Sequence, residues 1–302
     1  MSISLLYKTE TFTTMSDQGG LSLSEVLFEI LEVINNSNLN IVEKKKSELI
    51  YLQNFAKDTA LHEILFIPQS YQKFQISDDE HKMLLSLIEK STTVTNDEYL
   101  ILSKTLELKL ISEPYAYLCL ALDECKPLHV NSLETMLEAK RTILASSSNV
   151  NEFVSYLEYC FPNLKFSLNI LATLKTLSSK FPMVVNEVIR HLEALNDTLY
   201  PMITEERNGS FNLPNLLERF GRRAGLECTL QGNPKYEREN LQFDFRDGNG
   251  EKAIYICSPH TKITSTSTEG TGTYLYDRIY FHVGDINFCG GKILVGHIGK
   301  HL

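Results

Sequence analysis

The chain has 302 residues, 43% of them apolar and 22% charged, and 29 Lys and Arg against 38 Asp and Glu leave a formal net charge of −9. These values are those of an ordinary globular protein and exclude a wholly disordered chain or a fibre. The length accommodates one large domain or two ordinary ones. No apolar run approaches the ~20 residues of a membrane-spanning helix. The opening MSISLLYKTETF has no basic segment leading into an apolar stretch, so no secretory leader is expected. The expected compartment is the cytoplasm, with no membrane partner.

The six cysteines, Cys119, Cys125, Cys160, Cys228, Cys257 and Cys289, contain no C-x-x-C pair. They are read as free thiols and not as a zinc ribbon or a redox dithiol. Charge and glycine divide the chain unevenly. From Glu205 onward there are 12 basic and 12 acidic residues, so the first 204 residues carry 29 − 12 = 17 basic against 38 − 12 = 26 acidic, a net of −9. Of the 15 glycines, 13 lie between Gly209 and Gly299. Glycine is costly inside helices and common in tight turns, so two regimes predict two domains. The expected organisation is a flexible tail over 1–20, an all-helical docking or regulatory domain over 21–204, and a small α+β domain with an antiparallel sheet over 205–302. Together these make a multidomain α and α+β chain.

After the polar run Thr11 to Gly20, LSLSEVLFEILEVI repeats apolar residues at helical spacing behind serines able to cap. Nine further segments are read as helices: IVEKKKSELIYLQNFA, TALHEILFI, DDEHKMLLSLIEK, TNDEYLILSKTLELKL, PYAYLCLALDE, NSLETMLEAKRTILA, VNEFVSYLEYCF, LKFSLNILATLKTLSSKF and PMVVNEVIRHLEALND. Pro114 and Pro182 sit where a first-turn proline is tolerated. No fixed repeat is visible, so a helical array or bundle is expected. Lys44-Lys45-Lys46 is read as a solvated helix face, and His62, His81, His129 and His191 as isolated structural or exposed residues. An acidic helical domain without convergent polar residues suggests docking to a protein partner.

LPNLLERFGRRAG, from Leu213 to Gly225, predicts one amphipathic helix ending on a C-cap glycine. The period then changes. LECTLQG, NLQFDFRDGNG, EKAIYICSP, LYDRIYFHVGD and GKILVGHIG are short apolar alternations between Gly, Asn and Asp turns, which predicts five strands. Asp247 to Gly250 should close one hairpin and Asn287 to Gly291 another. On the fourth strand Ile279, Phe281 and Val283 share one face, and Arg278, Tyr280 and His282 share the other. His260 and Lys262 follow the third strand; His297, Lys300 and His301 end the fifth. Histidine exchanges protons near neutral pH, Lys and Arg stabilise charge on a phosphoryl group, and a tyrosine face stacks on a base. That set suits metal-free cleavage of RNA, in which the 2′-hydroxyl attacks the adjacent phosphate. The nominated catalytic residues are His260, Lys262, Arg278, Tyr280 and His297, with His282, Lys300 and His301 as substrate-binding residues. His297-x-x-x-His301 would share a face only in a helix, which Gly296 and Gly299 oppose, so no metal and no cofactor is expected. TKITSTSTEGTGT, over 261–273, reads as a surface loop, or as a flap over this face.

YDRIYFHVGD, a glycine turn and GKILVGHIGKHL, from Tyr276 to the chain end, resemble the C-terminal hairpin of RelE-type mRNA-interferase toxins and the wider barnase/EndoU/colicin/RelE-like fold. The resemblance implies a metal-independent endoribonuclease, with Arg278 and Tyr280 at the family's strand Arg and Tyr, and His297 or His301 near its terminal site position. The expected function is a toxin-like effector acting on RNA, regulated by the preceding domain, in a bacterial defence or toxin–antitoxin system. The alternative is a non-catalytic subunit or adaptor that assembles with a larger enzyme. A metal-dependent restriction-type nuclease fits less well, because SPHTK lacks the acid of a D/E-x-K element.

Overall fold

The structure is a computed structural model that describes residues 1–9, 23–36, 41–56, 59–107, 114–120, 126–206, 212–263 and 277–302. The polar run 11–20, Cys125 and most of the 261–273 run therefore lie outside the described residues. The chain divides into two compact units, Met1–Ile143 and Leu144–Leu302.

The N-terminal unit contains β1 (Ile3–Tyr7), α1 (Leu23–Asn35), β2 (Ile41–Ser47), β3 (Asn54–Ala56), β4 (Thr59–Ala60), α2 (Leu61–Phe66), α3 (Asp78–Glu89), β5 (Thr92–Val94), α4 (Asn96–Glu107), β6 (Tyr115–Leu118) and β7 (His129–Val130), with α5 (Leu133–Ala145) leading out of it. Five strands form a parallel sheet in the order β5-β2-β1-β6-β7. This overturns the expected all-helical array: the N-terminal unit is α/β. β1, expected in a flexible tail, is the central strand, and Ile3, Leu5, Leu6 and Tyr7 are at most 1% exposed.

The reason for the discrepancy is visible strand by strand. β1 and β6 are five and four residues long, too short for periodicity to separate a buried strand from a piece of buried helix. β2, IVEKKKS, is charged although it lies between two other strands. Lys45 and Lys46 bury their stems and carry their ammonium groups to partners. Lys46 is 3% exposed, and its Nζ donates to the Tyr51 hydroxyl and the Ile88 carbonyl, each at 2.8 Å. The triple-lysine run is thus an internal strand and not a solvated helix face. Helices appear where start signals were strong. At α3, Ser77 accepts from the Glu80 amide while Glu80 accepts from the Ser77 amide at 2.7 Å.

The C-terminal unit contains α6 (Val150–Cys160), β8 (Leu164–Phe166), α7 (Ile170–Leu174), α8 (Phe181–Glu193), α9 (Tyr200–Glu206), α10 (Leu213–Ala224), β9 (Cys228–Thr229), α11 (Pro234–Asn240), β10 (Gln242–Arg246), β11 (Lys252–Ile256), β12 (His260–Ile263), β13 (Asp277–His282) and β14 (Ile293–Gly299). Its main sheet runs β8-β14-β13-β12-β9. The pairing is antiparallel except for β8, which joins β14 in parallel. The segment LKF, expected at the start of a helix, is thus an edge strand. Thr261, Ile279 and Ile298 look towards α8 and the core and are fully buried. The separate hairpin β10–β11 pairs Phe245 with Ala253 across the Asp247–Gly250 turn and covers the opposite face. Among the described residues no helix is long and apolar enough to cross a membrane.

Leu5 and Leu100 separate the parallel-sheet architecture from a helical one. Leu5→Ala, at a fully buried strand position, is expected to destabilise the N-terminal unit by about 2–5 kcal/mol. Leu100→Ala, 54% exposed on α4, should cost less than about 0.5 kcal/mol. Urea unfolding read by hydrogen exchange at β1 and β6 amides measures both; equal midpoints would contradict a central β1.

Candidate active site

Strand register brings the nominated residues together. His260 on β12 pairs with Tyr280 on β13, and Tyr280 pairs with His297 on β14. Thr229 on β9 pairs with His260. Directly paired residues project to the same side of a sheet, so Thr229, His260, Tyr280 and His297 form one row across four strands. The adjacent row is Lys262, Arg278 and Gly299. The His260 and Tyr280 ring centroids are 4.9 Å apart, and those of Tyr280 and His297 are 5.7 Å apart. Arg278 Nη1 donates to the Tyr280 hydroxyl at 3.3 Å.

A bulge at Gly296 sets this geometry. β14 pairs His297 with Tyr280 but Val295 with Phe281, leaving Gly296 as the extra residue. A Cβ at Gly296 would lie 2.4 Å from Phe243 and 2.8 Å from Cys257 Sγ, so only glycine lets the β10–β11 hairpin approach this closely. Phe243 in turn lies 6.4 Å from His297, ring to ring.

The face is shared but it is not open. Tyr280 is 0% exposed, His260 and His297 3%, and Arg278 6%. Tyr280 packs with Leu241, Phe245, Cys257, Phe288 and Leu294. Alternation and pairing identify the common face; the overlying hairpin, which comes from residues 242–256, takes it out of solvent.

Hydrogen bonds fix both imidazole tautomers, because a carbonyl only accepts. His260 Nδ1 faces the Ser258 carbonyl at 3.3 Å, so Nδ1 carries the proton and Nε2, 3.1 Å from the Thr229 hydroxyl, is the acceptor. His297 Nε2 donates to the Lys300 carbonyl at 2.8 Å. Burial, reinforced by Arg278, pushes His260 down to about 4. Burial also lowers His297 and raises Tyr280. At neutral pH the row is therefore two neutral imidazoles and a phenol beside one guanidinium. That arrangement can take up one proton and hold an anion.

The other nominated residues stand apart from the row. Lys262 is ion-paired with Glu227 at the edge. His282 belongs to a different group: its ring lies 5.0 Å from that of Tyr255, whose hydroxyl donates to Asp285 at 3.1 Å. Lys300 is exposed and supplies its carbonyl to His297. His301 is half-buried, and its imidazole is lowered by burial and by Arg278. Among the described residues no three His, Cys, Asp or Glu side chains converge as a metal site.

The sequence reading did not nominate Thr229, Ser258 or Phe243; each enters through strand pairing or loop packing, which no local signal reports. It also left His191 as an isolated helix residue. In the structure His191 is fully buried beneath the sheet, with Nδ1 2.8 Å from the Thr261 hydroxyl and Nε2 3.2 Å from Glu187, so it ties α8 to β12 one residue from His260. No family model, no curated protein and no solved structure matches the chain.

The lowered His260 predicts a direction for pH dependence. A histidine at about 4 in the folded state, against ~6.5 unfolded, binds fewer protons when folded. Its contribution is present above ~6.5 and is lost as pH falls towards 4, on the order of 3 kcal/mol over that window. Urea midpoints of the C-terminal unit at pH 7.5, 5.5 and 4.5 should fall more steeply for the native chain than for His260→Gln. Parallel slopes would contradict a buried neutral His260.

Proposed function

We propose that the C-terminal unit is a metal-independent endoribonuclease of the toxin-like effector class, acting in the cytoplasm within a bacterial defence or toxin–antitoxin system. The acidic N-terminal part of the chain regulates it or docks it onto a protein partner. The observation that carries this reading is the in-register row of His260, Tyr280 and His297 with Arg278 against the phenol. The resemblance of Tyr276 to His301 to RelE-type toxins points the same way.

In this mechanism the 2′-oxygen of RNA attacks the adjacent phosphorus, and the P–O5′ bond breaks. His260 Nε2, the accepting nitrogen, takes the 2′-hydroxyl proton once Thr229 yields its place. Arg278 holds the non-bridging oxygens, with Lys262 at the rim of the site. The bound phosphodiester favours the charged form of His297, which then delivers a proton to the departing 5′-oxygen. Tyr280 fixes Arg278 through its hydroxyl. The products are a 2′,3′-cyclic phosphate and a 5′-hydroxyl, and the site resets when His260 releases to water the proton it took and His297 takes one up. The closed face requires the β10–β11 hairpin or the 300–302 segment to move before RNA can enter.

The same burial favours the second reading, a non-catalytic subunit whose polar row is a structural network. The two separate on purified full-length chain and single-stranded RNA. Cleavage that survives EDTA, leaves a 2′,3′-cyclic end, and falls by about 10²–10⁴ in His260→Ala and in Arg278→Ala is the expected outcome. Absence of cleavage together with stoichiometric co-purification with a large enzyme would favour the subunit, and undiminished cleavage in both variants would remove the mechanism.

A further inference from the structure

The parallel sheet of the N-terminal unit ends differently on its two sides. At one edge β7 is buried, with Val130 0% and His129 7% exposed. At the other edge β5 pairs with β2 alone, Thr92, Thr93 and Val94 lying against Lys45, Lys46 and Ser47 without a bulge. Thr92 and Thr93 point to opposite faces of the sheet, and both are exposed. Neither α3 nor α4, which flank β5 in the chain, therefore overhangs this edge. An open edge offers its amide and carbonyl groups to another strand, and folded proteins blunt such edges with lysine, proline, a bulge or a covering element. Residues 91–95 read Ser-Thr-Thr-Val-Thr. They carry no charge and no proline, and the β-branched side chains favour strand pairing.

Charge at the two ends of this edge says what fits it. Lys90 stands exposed just before β5, and Asp97 stands exposed just after it, in the first turn of α4. Among the described residues neither side chain has an ion-pair partner. Their neighbours are already engaged: Glu89 accepts from the Tyr51 hydroxyl at 2.5 Å, and Glu98 lies 3.8 Å from Lys45. Antiparallel pairing lays an edge against a reversed copy of itself. It brings the Lys90 end of one β5 to the Asp97 end of the other, twice in each dimer, whereas parallel pairing sets like charge beside like. The two-fold axis of such a pair is perpendicular to the sheet, so both α4 helices lie on the same face of the joined sheet. On α4 the neighbouring Leu100 and Ile101 are 54% and 66% exposed, apolar surface placed where the two helices face each other. The edge is thus complementary to itself, as a two-fold interface must be.

We propose that the β5 edge is an interface between two copies of this chain. The copies pair β5 with β5 in antiparallel fashion and join two five-stranded sheets into one. Lys90 of each copy meets Asp97 of the other, and Leu100 and Ile101 of both α4 helices line the seam on one face. The strand is three residues long, so the dimer belongs to the small, reversible class of interfaces. Each assembly then carries two C-terminal units.

The test is sedimentation velocity of the full-length chain over about 1–100 μM, the range in which small interfaces assemble. A reversible monomer–dimer equilibrium is expected, with amide exchange at β5 slowing as concentration rises. Lys90→Glu and Asp97→Lys each turn two attractive contacts into repulsive ones and should weaken the dimer about tenfold. Mixing the two variants should restore it, because both contacts in the mixed dimer again join opposite charges, and the double variant should restore it for the same reason. Thr93→Lys, which brings two ammonium groups together near the axis, should weaken it about tenfold or more while the amide spectrum stays that of the folded chain. A chain that stays monomeric throughout the range overturns the proposal, and so does a dimer indifferent to all three substitutions. Protection of β5 only in a complex with a different protein assigns the edge to a foreign strand and overturns it as well. No RNA enters these measurements, so their failure is distinguishable from failure of the nuclease reading.

Discussion

Burying two imidazoles and a guanidinium against one sheet face is costly, and the C-terminal unit is arranged around that cost. A buried polar group is tolerated only when it is hydrogen-bonded, and a buried charge costs far more. The unit meets this by keeping both histidines uncharged and giving each a partner: Ser258 and Thr229 for His260, Lys300 for His297. The remaining charge, on Arg278, is steadied by the Tyr280 hydroxyl. Gly296 then lets the β10–β11 hairpin close over the row, because any side chain there would strike Phe243. Neutral histidines, a fixed tautomer at each ring and a closed cover are thus consequences of one packing decision. Proton transfer and anion binding at this row require the cover to be displaced.

The N-terminal unit solves a related problem in another way. Its sheet is parallel, so inner strands lie between neighbours on both edges, and apolar runs are the usual filling. β2 instead carries three lysines. Lys45 points to the α4 side, where it pairs with Glu98 and lies 5.6 Å from the Tyr115 ring. Lys46 points to the α3 side and reaches the Ile88 carbonyl. Long aliphatic stems let a cationic strand sit inside a core, provided that each ammonium ends on a carbonyl, a carboxylate or an aromatic face.

Much of the C-terminal unit could be read in its sequence. Alternation in DRIYFH put Arg278, Tyr280 and His282 on one face, Asp247 to Gly250 marked a hairpin, and Gly225 marked the end of α10, where its φ is +63°. Those signals are local, so one sequence contains them. The N-terminal unit was misread for the opposite reason. Ile3–Tyr7 and Tyr115–Leu118 are strands because they pair with each other, a contact across more than a hundred residues that leaves no mark on either segment. A lysine-rich β2 and the helix-compatible PYAYLCLALDE then completed a pattern that resembled helices throughout. The same limit explains why Thr229, Ser258 and the cover over the site were not anticipated.

The most direct test of a phosphodiester site on this row is binding of a short single-stranded RNA carrying 2′-O-methyl groups, which blocks the attacking oxygen and leaves the phosphates intact. Followed by imidazole and guanidinium resonances of the full-length chain, saturable shifts at His260, His297 and Arg278, with His62 and His81 in the N-terminal unit unmoved, are the predicted result. Binding that leaves those three groups unperturbed, or no binding at all, would contradict it.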